Sequence, residues 1–213
     1  MALLMTNKRG IWQLRDQIVD ASLTHITFDG WTMAALNRGA EDIGLPRRDI
    51  TRAFPAGAID AIEHHSRLAD RRMLEVLTDL DTMPIRVRIA TAVRKRLEQN
   101  IPHREAVRRA CAMLALPQNA PMAARCLYRT VDAIWRAAGD TATDWNFYSK
   151  RALLAGVYST TLLYWLDDRS ENSLESWTFL DRRIEDVMQI PKFGKRVRDL
   201  TERVLDLQRF FRA

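Results

Sequence analysis

Several things are scarce in these 213 residues, and each scarcity excludes something. Two cysteines, Cys111 and Cys126, cannot build a disulfide framework, and neither stands in a paired motif with histidine or a second cysteine. They read as small buried apolar residues in a reducing compartment. With 8 glycines and 7 prolines, long linkers and low-complexity stretches are not expected. No run approaches the roughly eighteen consecutive apolar residues of a membrane span. Residues 1–10 carry neither a signal-peptide core nor a long Arg/Ser-rich transit segment. On this basis we expect a cytoplasmic, bacterial-type chain with peripheral membrane association. Period-two alternation and turn dipeptides such as Asn-Gly are also missing, which argues against strands.

What is present is apolar spacing at three and four between clear breakers, the pattern of amphipathic helices. It predicts helices over 11–25, 33–44, 46–53, 58–81, 85–100, 104–114, 123–138, 146–166, 174–189 and 195–211. Thr32 reads as an N-cap, Pro46 as a helix start, and Pro117 and Pro121 as bracketing a break. The expected fold is all-α with about ten helices.

The net charge of +6 is concentrated. Residues 82–109 hold 8 Lys/Arg against 2 Asp/Glu, and residues 192–213 hold 7 against 3. Such blocks can meet the phosphates of nucleic acid or lipid head groups, or simply form solvated helix faces.

The first 57 residues resemble the start of a TetR-type regulator: a helix, a Phe28-Asp29-Gly30 turn, a Thr-capped helix, a short helix, then Phe54-Pro55. This is a helix-turn-helix with 46–53 in the recognition position, where Arg47, Arg48 and Arg52 could reach phosphates. Yet the region through residue 81 carries 10 Lys/Arg against 12 Asp/Glu, whereas DNA-binding faces concentrate positive charge. The expectation is a repurposed helical subdomain, with a TetR-type DNA-binding transcriptional regulator as the alternative reading.

No catalytic constellation stands out. His64 and His65 are neighbours on a predicted helix, pointing about 100° apart, so one face cannot offer both to a metal. His25 and His103 stand alone. There is no Glu-x-x-His pair, phosphate-cradling glycine loop or nucleophile elbow. We therefore expect neither enzyme activity, cofactor nor metal.

The segment opening at Asp144 is unusual. Trp145, Phe147 and Tyr148 crowd a helix start, with Lys150 and Arg151 directly after. Rigid rings beside cations suit an interface hot spot, or an anchor into the core. The run from Asp140 to Leu162 resembles the ubiquinone (coenzyme Q) biosynthesis accessory family whose eukaryotic member is the ninth Coq protein. The resemblance continues through Trp177, Phe179-Leu180 and 183–188, and upstream through Ile134-Trp135 and Ala138-Gly139. It implies a TetR-like fold, a lipid pocket, a homodimer and association with the demethoxyubiquinone hydroxylase. It also implies a partner surface at Asp144, Trp145, Phe147, Tyr148 and Arg151. Two aromatics are exchanged relative to the family pattern: Trp145 and Phe147 stand where Phe and Trp are expected.

Leu154, Val157, Tyr158, Thr161, Leu162 and Trp165 share one helical face, and Leu127, Val131, Ile134 and Trp135 share another. Spacing alone leaves core and pocket both open; the resemblance makes these ten the candidate lipid-binding residues, for an isoprenoid lipid, a quinone precursor or a phospholipid. Nucleic acid is not expected as a partner. In 195–211, Val197, Leu200, Val204, Leu207 and Phe211 repeat at three and four, with Lys195, Arg196 and Arg203 on other faces. This basic amphipathic helix could lie in a membrane interface or pack on the core, and the resemblance favours the membrane. The expected organisation is a helix-turn-helix-like subdomain (1–57), a lipid-binding and dimerisation bundle (58–191) and the basic amphipathic helix (192–213).

Overall fold

The computed structural model describes residues 2–78, 80–140 and 145–188, with side chains described from Gly10 onward except at Trp145, Asn146 and Phe147. Among these residues there are α-helices and short 3-10 turns, and no strand. The helices are α1 (Ala2–Asp29), α2 (Met33–Asp42), α3 (Arg47–Ala53), α4 (Ala58–Val76), α5 (Ile85–Glu98), α6 (Arg104–Leu114), α7 (Ala120–Ala137), α8 (Trp145–Asp167) and α9 (174–188). The predicted helix over 195–211, with its membrane-directed residues, lies outside the described residues, as does Asp144.

The breakers act as their chemistry dictates. Thr32 caps α2: its Oγ1 accepts from the Ala35 amide at 3.1 Å. Gly44, at φ 71°, ends the same helix, with Leu45 N–H donating to Ala40 O and Gly44 N–H to Glu41 O. That is a Schellman closure, and Gly139 at φ 87° repeats it at the end of α7. Several predicted boundaries move, the largest shift being the start of α1, at Ala2 rather than at residue 11. Helix α1 continues through Phe28 and Asp29 to Gly30, which is at φ 70°. Helix α4 stops at Val76 because Leu77 is extended. Pro121 lies inside the first turn of α7 rather than before it, where a missing N–H costs no helical hydrogen bond.

Two apolar clusters hold the bundle. The first joins Ile18, Val19 and Ile26 of α1 to Leu36, Ile50, Phe54 and Ile62, closed by Ala106 and Ala110 of α6. The second gathers Met73, Val93, Leu97, Val131, Ile134, Leu154, Val157, Trp165, Trp177 and Leu180 from α4, α5, α7, α8 and α9. Each large side chain so buried contributes about 1.5–3 kcal/mol. Helix α6 belongs to both, since Val107 and Cys111 pack against the second cluster. Trp31 ties the first cluster to α6 through Nε1 donating to Ala106 O at 2.9 Å.

Candidate functional site

Where α4, α5, α6, α7 and α8 converge, they leave a cavity of about 260 Å³. Its lining is graded. The buried lining residues include Ile62, Leu97, Ala110 and Trp165, together with the polar His65, Arg96, Asn100, Thr130 and Tyr158. The lining residues that reach solvent are mostly apolar: Val107, Leu114, Ala115, Ala123, Leu127 and Leu162. The cavity thus opens between the α6–α7 connection and α8, with its polar groups at depth.

Those polar groups are held by a buried network. Arg96 Nε donates to Asp70 Oδ1 at 2.7 Å, and Arg96 Nη2 to Ser66 O at 3.1 Å. Thr130 Oγ1 donates to Asp70 Oδ1 at 2.8 Å, and Arg129 Nε to Asp70 Oδ2 at 3.1 Å. Arg129 also reaches Glu63, so two carboxylates answer two guanidiniums. Breaking such an arrangement would strand a buried charge. Two buried nitrogens at the cavity have no hydrogen-bond partner among the described residues: His65 Nε2 and Trp165 Nε1. Burial holds the His65 pKa down at about 3, assisted by the Arg96 charge, so the ring is neutral. Burial also pushes the Tyr158 phenol up to about 12, against the pull of Arg96.

The structure sorts the ten candidate lipid residues. Leu127, Tyr158, Leu162 and Trp165 line the cavity. Val131, Ile134, Leu154 and Val157 pack in the second core cluster. Trp135 leans on that cluster, its Nε1 donating to Lys150 O at 3.1 Å. Thr161 is buried, with its Oγ1 unpartnered among the described residues. Sequence reasoning missed the contributions of α4, α5 and α6, including His65, Arg96 and Cys111. The one available signal was the adjacent His64-His65 pair on an otherwise amphipathic helix.

The first turn of α8 is at the other end of the helix from the cavity. Tyr148 is 65% exposed there. Arg151 is turned inward, pairing with Asp132 at 2.8 Å and Asp140 at 3.3 Å. On α3, Arg47 pairs with Glu41 and Arg52 with Asp49, while Arg38 on α2 pairs with Asp29. The cations of the helix-turn-helix are thereby largely answered by its own acids. Among the described residues no group of three or more His, Cys, Asp or Glu could hold a metal, and no helix is long and apolar enough to cross a membrane.

Comparison with known proteins places this architecture. A crystal structure of a TetR transcriptional regulator from Nitrosomonas europaea ATCC 19718 superposes with a TM-score of 0.68 at 21% identity, covering 84% of this chain and 99% of that one. That likeness is one of fold. Residues 120–191 match the COQ9 family model. The chain is 33% identical to the mitochondrial ubiquinone biosynthesis protein COQ9 of Rattus norvegicus, over 89% of this chain and 64% of that protein. It is 31% identical to COQ9-B of Xenopus laevis, over 91% of this chain and 69% of that protein. The chain therefore spans somewhat under two thirds of the rat protein's length. Those relatives are named as mitochondrial, and nothing among them supports reading this chain as bacterial-type. On identity and coverage together, the chain belongs to the COQ9 family.

Proposed function

We propose that this protein is a non-catalytic accessory protein of ubiquinone biosynthesis. In this role it binds an isoprenoid lipid, a quinone intermediate or a phospholipid at a membrane surface and presents it to the demethoxyubiquinone hydroxylase. The observation that carries this reading is the cavity of about 260 Å³, apolar at its mouth and polar within, where α4, α5, α6, α7 and α8 converge. Small-molecule sites have this character: mostly apolar walls with a few convergent polar groups. Family membership supports the pathway, since the relatives are named for ubiquinone biosynthesis. The exposed ring of Tyr148 supports a partner surface at the start of α8. In this reading residues 1–57 are a retained helix-turn-helix subdomain, 58–191 bind lipid and dimerise, and 192–213 meet the membrane.

Native mass spectrometry of the purified protein tests it. A co-purifying isoprenoid or phospholipid is expected, and a chain that stays lipid-free after incubation with membrane extract would sink the lipid claim. A DNA-binding reading draws on the shared TetR fold. It requires a salt-sensitive mobility shift with genomic fragments, and the ion pairs of Arg38, Arg47 and Arg52 weigh against one.

A further inference from the structure

The cavity is too small for a whole polyprenyl lipid. An apolar cavity of about 150 Å³ accommodates benzene. The volume here, about 260 Å³, therefore holds one substituted six-membered ring and little more. Most of any lipid tail must lie outside it. The polarity gradient gives the direction. The side chains with hydrogen-bonding nitrogens are at depth: His65 is 7% exposed, Arg96 7% and Trp165 0%. His65 Nε2 and Trp165 Nε1 are unpartnered among the described residues, and the hydrogen bonds of Arg96, which lines the same cavity, run from Nε and Nη2. The solvent-reaching wall is apolar at Leu114, Ala115, Leu127 and Leu162.

We propose that the ligand enters head first: a neutral ring bearing oxygen acceptors is read at depth by Arg96, His65 and Trp165, and its tail leaves along the apolar mouth. This rests on the lipid-binding reading above and adds orientation, head-group chemistry and the residues that recognise it. Charge selects a neutral head. Arg96 already has its counter-ion, Asp70, at 2.7 Å, so a phosphate would arrive as an uncompensated buried anion. A ring with carbonyl or hydroxyl oxygens carries no such cost. Trp165 Nε1 and Arg96 Nη1 can only donate, while neutral His65 can donate or accept according to its tautomer. Donors therefore dominate, and they suit an acceptor-rich ring.

Isothermal titration calorimetry with the full chain at pH 7.5 tests this, using a benzoquinone carrying one or three isoprenyl units, farnesol, and lysophosphatidylglycerol. We expect both quinones to bind within about threefold of each other, since a fully buried isoprenyl unit would tighten binding by more than about tenfold. Farnesol and lysophosphatidylglycerol should bind more weakly. His65→Phe and Trp165→Phe should each weaken quinone binding by about three- to tenfold, the worth of one neutral hydrogen bond. His65→Phe should leave the Tm near wild type, because it removes an unpartnered polar atom at similar volume, whereas Trp165→Phe also leaves a void in the core and should lower the Tm. Farnesol binding as tightly as the quinones, affinity climbing steeply with tail length, or both variants binding quinone like wild type would overturn head-first entry while leaving lipid binding intact. Lysophosphatidylglycerol competing on equal terms would overturn the neutral head. No binding of any probe would remove the lipid reading itself.

Discussion

Asp70 and Arg96 form a buried ion pair between α4 and α5, Oδ1 to Nε at 2.7 Å, and the same carboxylate anchors Arg129 and Thr130 of α7. One side chain thus links three helices around the cavity. Asp70→Asn keeps the shape but removes the charge, stranding Arg96 out of water. Loss of one partner from a buried pair costs about 3–5 kcal/mol. Urea denaturation measures this, and a loss below about 1 kcal/mol would show the pair to be better solvated than its burial indicates.

Two glycines make opposite predictions. A Cβ on Gly39 would lie 2.6 Å from the Ser22 backbone, where α2 presses on α1. Gly39→Ala should destabilise by about 1–3 kcal/mol or more, as overpacking does. A Cβ on Gly156, mid-helix in α8, meets nothing within 4 Å. Gly156→Ala should stabilise by about 0.5–1 kcal/mol through helix propensity. Thermal melts of the two variants should move in opposite directions.

Acid should unfold this protein early. Burial lowers the pKa of His64 from 6.5 to about 4, partly opposed by the Asp16 bond at 2.6 Å. His65 falls from 6.5 to about 3. Both native pKa values lie below the unfolded value, so the unfolded chain binds more protons as pH falls. The histidines cost no stability above about pH 6.5 and an increasing amount as pH drops toward 4 and then 3. Each contributes a slope of up to about 1.4 kcal/mol per pH unit in that window. Urea unfolding at pH 7.5, 6 and 5 reads the slope, and His65→Phe should make it shallower. An unchanged slope would mean His65 is protonated in the folded state.

The C-terminal segment carries a separate prediction. Removing residues 195–213 takes away Lys195, Arg196, Arg203 and the apolar stripe of Val197, Leu200, Val204, Leu207 and Phe211. Basic residues near an anionic surface contribute about 1 kcal/mol each. Flotation with anionic liposomes should be lost, while the Tm of the remaining bundle stays near wild type. Unchanged flotation would overturn the assignment of residues 195–213 as a membrane-binding helix.

The sequence by itself determined the helices. Thr32, Gly44, Pro46 and Gly139 act through local backbone chemistry, and local chemistry is legible in one dimension. It also determined the family, because the aromatic run of α8 is long enough to be distinctive. Periodicity showed which faces of α7 and α8 turn inward, but not which inward residues meet a void. Of the ten candidates, Leu127, Tyr158, Leu162 and Trp165 border the cavity, while Val131, Ile134, Leu154 and Val157 fill the core. That division belongs to the tertiary structure alone. A cavity is space left over when five helices pack, so its walls depend on where α4, α5 and α6 cross. Arg96 and His65 read as ordinary helix residues until the packing of α5 on α4 brings them together in the wall of the same space.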